Sequence, residues 1–559
     1  MSNPKTQISN LQSAISDLQP KRFGSPPEGL ARQLGVGVSD LLHGLSWGTV
    51  FRWLALPFCL GALAVINTWD LPTYLGVITL AFWLARFRRR ARGTSQFDVL
   101  NLAGLVASSL EAVLFGALTL AASYLLYLPF FTHYQPLDVG LGLVRDKTDL
   151  GQFVTIWGLY LFVSVSYLLL TLVYPATRIG ALRTVSLFLR RWNVAPHLAD
   201  VYGVLVRRTG FGYWATLWSL LVVGGIALGL WLLGYQVPGL LLPLVWLSFL
   251  FLLRPEPEAG QTFSGLLLFT GLLILLGVEF FFLRDFLGGS AYYRMNTLFK
   301  FYIQVWVMLG IAVAYLLVGL LSGRWVPSTR QHPSLAGRRA VRWRRTALDL
   351  VWQLALIALI IAVLAYPALG TPSRLRNRFD RAPPTGTLDG MAYMTAGTLV
   401  WPQDNPIELS YDYEAIRWLQ DNVKGTPVLA EAKIGFYREG GMRVASYTGL
   451  PMPLGGLHQN EQRWPDQVGQ RDSRYMEFWN TTDPARAWEL IQELAISYIY
   501  IGQLEQTLYN PDLTGSLAQW GVTRFFPDGY AKFDELAAQG RLNVVYENER
   551  TRIYRVVDR

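Results

Sequence analysis

Three groups of polar residues stand at the edges of long apolar stretches, where an ionisable side chain is costly unless it does something. The first is Asn67-Thr68-Trp69-Asp70-Leu71-Pro72-Thr73-Tyr74, an acid among aromatics. Asp70 suits a general base or a metal ligand, and equally a cap on the helix that follows. The second runs through Arg284 and Asp285 to Tyr292, Tyr293, Arg294, Met295, Asn296 and Lys300, and into an apolar segment carrying Tyr302, Gln304 and Trp306. Forked guanidinium donors, an ammonium and a helix N-terminus suit a phosphate or pyrophosphate, and Asn296, Lys300 and Gln304 recur every four residues on one helical face. The same residues also suit an interfacial collar of snorkelling side chains. The third is a polar loop with His133, Tyr134, Asp138, Arg145, Asp146 and Asp149, whose acids could hold a metal or act as a base. Glu111 and Glu279 fall inside or beside apolar stretches and are expected to pair between helices or to line a cavity.

The elements that must position these groups are membrane helices. Of 559 residues, 52% are hydrophobic and 16% charged, against about 25% charge in an ordinary soluble domain. Nine stretches approach the length of about 20 apolar residues needed to span a bilayer: 51–67, 72–86, 102–128, 153–174, 213–234, 238–253, 263–283, 298–322 and 348–367. The first two are expected to form a hairpin, since one broken helix would leave Asp70 in mid-membrane. Alternation then collects 19 arginines in loops on one side and four basic residues, Arg145, Lys147, Arg284 and Arg294, on the other. By the positive-inside rule the first side is cytoplasmic. All three polar groups therefore face the other side.

Charge is +14 over residues 1–370 and −4 over the remainder. The basic excess lies in loops between apolar stretches, so it points to a membrane surface and away from nucleic acid. Cys59, the only cysteine, excludes a disulfide framework within one chain. The organisation read from these shifts is a polar segment over 1–48, a helical membrane domain over 49–369, a linker over 370–400 and a small α/β domain over 401–559. In the last, PVLAEA, SYIYIG, LNVVYEN and TRIYRVV alternate as strands. YDYEAIRWLQDN and PARAWELIQELA have helical period, with Asp483 placed as a cap. A Gly- and Pro-rich loop there carries Arg443, Tyr447, His458 and Glu461, the last two spaced as an acid/base or ligand pair. No P-loop, GxGxxG, HExxH or GxSxG pattern occurs.

The runs Asn67 to Tyr74, Tyr293 to Tyr302 and Tyr447 to Pro451, with His458 and Glu461, resemble the uncharacterised YYY family of prokaryotic membrane proteins, from about residue 50 to the end of the chain. That family in turn is similar to the C-type (GT-C) glycosyltransferases. The resemblance implies a GT-C-like helical bundle, an outward-facing site, a polyprenyl-phosphate sugar donor and an extracytoplasmic C-terminal domain. The family pattern opens with further spans and an Asp-Leu-His run, of which Asp40-Leu41-Leu42-His43 is a faint remnant, so its N-terminal part is expected to be missing here. The expectation is a multi-pass plasma-membrane protein that transfers a sugar from a lipid-phosphate donor to an outer acceptor. Asp70 is its base or a metal ligand; Arg294 and Lys300 hold the donor phosphate, with Asn296, Tyr293 and Gln304 orienting it; His458 and Glu461 line the substrate site; a divalent metal is an open option. A transporter or lipid flippase with Glu111 and Glu279 on its path is the competing class, followed by a non-catalytic scaffold.

Overall fold

The computed structural model describes residues 47–91, 102–134, 140–173, 211–253, 258–284, 291–322, 338–378, 382–399 apart from 385, 406–433, 442–455, 459, 463–513 and 524–557. The chain divides into two units, the first taking residues 1–132 and 138–364, the second 133–137 and 365–559. The second unit begins before the expected 401: Met391 and Met394 already belong to its core.

In the first unit, helices occupy the nine apolar stretches: α1 (Trp47–Ile66), α2 (Asp70–Ala91), α3 (Leu102–Leu126), α4 (Leu150–Val173), α5 (Phe211–Leu232), α6 (Gln236–Leu252), α7 (Ala259–Gly277), α8 (Met295–Leu321) and α9 (Arg338–Ala365). Among the described residues, six segments are long and apolar enough to cross a membrane, Gly104–Leu126, Leu150–Leu170, Trp214–Leu232, Ala259–Gly277, Met295–Leu321 and Asp349–Arg376. The expected nine spans are thus met in part. Apolar segments Leu54–Ile66 and Gln236–Leu252 are shorter, and α2 carries Arg86 and Arg88 to Arg90 within its length.

Helix partners establish direction. Along α2 and α3, the added Cβ of Gly116 would meet Thr79, Phe82 stacks on Phe115, and Arg86 and Arg90 meet Glu111, so these helices are antiparallel. Tyr127, just past the end of α3, reaches the Phe58 carbonyl in the second half of α1, and a Cβ on Gly61 would meet Tyr127 and the Ser123 carbonyl, so α1 runs back alongside α3. Therefore α1 and α2 form the expected hairpin, turning over Asn67 to Trp69. The arginine-bearing end of α2 joins the end of α6 and the start of α7, where Arg88 donates to the Leu252 carbonyl and the Thr262 hydroxyl. At about 1.5 Å per residue this end is some 24 Å from Asp70.

The apolar run 263–283 does not continue as helix to its end. Its last residues form β2 (Phe281–Arg284), antiparallel to β1 (Gly140–Leu143) from the loop after α3, in register Gly142↔Phe282. A two-stranded ladder at the end of the bundle ties two segments about 140 residues apart. The packed core beneath it, drawn from α4, α6, α7 and α8, includes Phe153, Trp157, Tyr167, Leu241, Leu268, Leu272, Leu309 and Leu316.

In the second unit, β3 (Thr398–Leu399) pairs antiparallel with β4 (Ile407–Glu408), and β5 (Val428–Ala430), β6 (Ile496–Ile501), β7 (Leu542–Glu547) and β8 (Arg552–Val556) form one sheet in the order β5-β6-β8-β7, with β5 parallel to β6 and the other pairs antiparallel. All four strands of that sheet were legible as alternating runs. The helices include α10 (Leu409–Asn422), α11 (Arg443–Thr448), α12 (Pro465–Asn480) and α13 (Pro484–Glu493). Asp483 caps α13 as expected, its Oδ1 accepting from the Ala485 amide at 2.9 Å.

Candidate functional site

A cavity of about 500 Å³ opens at the ladder end of the bundle, lined by Asp146, Lys147, Thr148, Asp149, Gln152, Phe153, Ile156, Ala291, Tyr293, Arg294, Leu298 and Tyr302. Its position follows from the ladder. Just past β1 lies the loop 144–149, and beyond β2 lie Tyr293, Arg294 and the start of α8, so strand pairing brings Arg145, Asp146 and Asp149 of the third polar group beside Tyr293 and Arg294 of the second. The Leu283 amide donates to the Thr297 hydroxyl, seating β2 on the first turn of α8.

The loop is then fastened to α8. The Tyr293 hydroxyl accepts from the amides of Arg145 (2.9 Å) and Asp146 (3.2 Å). Phe282 lies edge-on against the Tyr293 ring, with centroids 4.7 Å apart. Arg294 donates to the Asp146 carbonyl, to the Thr148 hydroxyl at 3.0 Å and to Glu279 Oε1 at 3.1 Å. Glu279, 5% exposed, also accepts from Thr148 at 2.8 Å. Asp149 precedes α4 and accepts from the Gln152 amide, a helix cap.

Besides the capping carboxylate of Asp149 and Arg294, which is paired with Glu279, two charged groups line the cavity. The Asp146 carboxylate makes no hydrogen bond or ion pair with another described side chain. Lys147 donates to the Leu233 carbonyl at 2.7 Å and lies 4.5 Å from the Tyr235 ring centroid, with no carboxylate partner among the described residues. Below this polar mouth the wall turns apolar through Phe153, Ile156, Leu298 and Tyr302, and Ile156 is 43% exposed on the flank of the bundle.

The residues expected to form one phosphate clamp divide between two faces of α8. At about 100° per residue, Leu298 and Tyr302 follow Arg294 on the cavity face, whereas Asn296, Lys300 and Gln304 start about 200° away. That second face meets the first polar group. Gln304 Nε2 donates to Asp70 Oδ1 at 2.7 Å and to the Trp69 carbonyl, and Lys300 lies 5.6 Å from the Trp69 ring centroid. Asp70 is therefore engaged by a buried amide and does not line the cavity. Asp138, Asp285, His458 and Glu461, along with Asp40 and His43, lie outside the described residues. Lys147, Thr148 and Gln152 carried no motif that singled them out as site residues.

Glu111 and Glu279, the acids of the transporter reading, are each neutralised by arginine: Glu111 by Arg86 and Arg90, Glu279 by Arg294. They stand at opposite ends of the bundle. Among the described residues no group of three or more His, Cys, Asp and Glu could hold a metal ion.

No curated protein matches the chain. Residues 35–309, which contain the ladder, the cavity and both faces of α8 down to Gln304, match the sequence model of the uncharacterized membrane protein family DUF2298, and over that segment the chain is similar to that family.

Proposed function

We propose that this multi-pass membrane protein is glycosyltransferase-like, transferring a sugar from a polyprenyl-phosphate-type donor to an acceptor on the side of the bilayer opposite the arginine-rich loops. The observation that carries the reading is the cavity itself: a mouth of Asp146, Lys147, Thr148 and Gln152 above an apolar wall of Phe153, Leu298 and Ile156, of which Ile156 is exposed on the flank of the bundle. Such a site suits an amphipathic ligand with a polyhydroxylated, phosphorylated head. Carboxylate and amide groups accept from and donate to sugar hydroxyls, and aromatic rings offer flat apolar faces. The chain of a lipid would run along Ile156 and Leu298 into the hydrocarbon.

In this scheme the acceptor hydroxyl attacks the anomeric carbon, its proton passes to the Asp146 carboxylate, and the bond from that carbon to the phosphate oxygen breaks, releasing polyprenyl phosphate. Lys147 offsets the charge gathering on the leaving phosphate. Arg294 holds the loop and contributes little net charge, because Glu279 neutralises it. The base role read from the sequence for Asp70 passes to Asp146, whose carboxylate is free. The charge sorting of the loops supports a plasma-membrane location with the C-terminal domain outside the cytoplasm. The arginine pairing of Glu111 and Glu279 speaks against a polar transport path.

The test uses the full chain in lipid nanodiscs, with a polyprenyl phosphate and its glycosylated form as probes. Lys147→Gln is expected to weaken phosphate binding about tenfold or more, the worth of one charge-assisted hydrogen bond. Asp146→Asn is expected to leave binding intact and slow transfer by about 10² to 10⁴. Unchanged binding in the first and unchanged transfer in the second would remove the assignment.

A further inference from the structure

We infer that Glu279 is a positioning residue for the cavity: it fixes the loop that presents Asp146 and Lys147 by holding Arg294 and Thr148 in place. The inference rests on the reading of the cavity as the donor site, but its structural half stands independently. Glu279 lies past the end of α7, two residues before β2, and is 5% exposed. A carboxylate buried at the edge of an apolar bundle needs partners to remain there. It has two, both through Oε1: the Thr148 hydroxyl at 2.8 Å and Arg294 Nη2 at 3.1 Å. Those partners bond to each other at 3.0 Å, closing a three-membered ring of hydrogen bonds. Arg294 Nη1 then reaches the Asp146 carbonyl at 3.3 Å. Every residue of the ring comes from a different segment: Thr148 from the loop, Glu279 from the approach to β2, Arg294 from the start of α8. The carboxylate does not line the cavity, so it acts on a ligand only through the loop.

The ring also decides which cation a ligand meets. With Arg294 drawn onto Glu279, the charge left facing the cavity from the basic residues is Lys147. Removing the Glu279 charge frees the guanidinium to compete for an anionic head, so loop order and phosphate affinity should move in opposite directions.

Hydrogen exchange on the full chain in nanodiscs reads loop order without any chemistry. In Glu279→Gln, exchange at the Arg145 and Asp146 amides is expected to rise about tenfold or more, the loss of one hydrogen bond to a charged group. Polyprenyl phosphate should bind as tightly as in the parent or tighter, while transfer falls. Glu279→Asp, which keeps the charge, should recover part of the loop protection. Because Glu279→Gln leaves Arg294 buried without its counter-charge and can fail to fold, Thr148→Val and the double variant Glu279→Leu with Arg294→Met are measured beside it. Both should fold with parental exchange in α7 and α8 and raised exchange in 145–148. Parental exchange in the loop for all variants that fold overturns the inference. If the loop responds as expected while Asp146→Asn leaves transfer unaltered, the positioning role stands and the transfer reading falls.

Discussion

Replacing Gly142 with alanine tests whether the ladder builds the cavity. Gly142 faces Phe282 across β1 and β2, and a Cβ there would lie 2.3 and 2.5 Å from two carbons of the Phe282 ring. Ordinary contact begins near 3.4 Å, so the ring must move by about 1 Å, and overpacking of this kind costs about 1–3 kcal/mol. The ring has little room, being 4% exposed and wedged edge-on against Tyr293. The displacement therefore passes to the Tyr293 hydroxyl, whose 2.9 Å bond from the Arg145 amide then leaves hydrogen-bonding range. A shift of about 1 Å in a catalytic group lowers turnover about a hundredfold. The assay is hydrogen exchange across 140–149 and 281–284 in the full chain, together with sugar transfer from a polyprenyl-phosphate donor. Gly76→Ala is the control, since its added Cβ meets nothing within 4 Å. Parental exchange at Arg145 and Asp146 in Gly142→Ala would refute the claim that the ladder positions the loop. Altered exchange with undiminished transfer would refute the claim that the loop does the chemistry.

Other outcomes follow from the second unit. Arg443, 7% exposed, holds Asp412 and Glu505, both fully buried; Arg443→Met should destabilise that unit by about 3–5 kcal/mol by leaving buried charges uncompensated, with most of the loss restored by adding Asp412→Asn and Glu505→Gln. Local opening measured by hydrogen exchange in β6 reports it. Burial pushes the Glu431 carboxyl up to about 7, so its stabilising contribution is complete below about pH 4.5 and is lost as pH rises through 7. Burial likewise brings Lys532 down to about 7, which adds stability as pH rises from 7 toward 10.5. That second limb is shallow, because the Trp479 and Gly529 carbonyls and the Phe533 ring favour the ammonium. The unit should be least stable near pH 7, with Glu431→Gln flattening the acid limb and Lys532→Met the alkaline one. A profile that does not fall as pH rises to 7 would contradict the Glu431 assignment, and one that does not rise above 7 would contradict that of Lys532.

Much of the architecture was readable before any coordinates, because it is written in local periodicity. Apolar stretches and the sorting of arginines anticipated the helices, the hairpin over Asn67 to Trp69 and the end of the bundle where polar groups gather. Four alternating runs became the four strands of one sheet, and Asp483 became the cap its position suggested. The membrane family was recognisable from the runs around Asp70 and Arg294, and the matched segment contains both. The site was less legible. Residues 281–283 end an apolar run and look like helix, yet they form strand β2 because their partner, Gly140 to Leu143, is supplied from about 140 residues away.

From the sequence by itself came the class of the protein, a membrane helical bundle with an α/β domain after it, since burial in lipid or in a core selects residues by type and period along the chain. Only the tertiary structure decided which polar residues work together. It separated Arg294 from Lys300 by the turn of one helix, engaged Asp70 with Gln304, neutralised Arg294 with Glu279 and left Asp146 and Lys147 facing the cavity. The physical reason is that a charged side chain's role is set by the partner that reaches it, and the fold decides that partner: Gln304 reaches Asp70 from across the bundle, and Glu279 reaches Arg294 from the far side of β2.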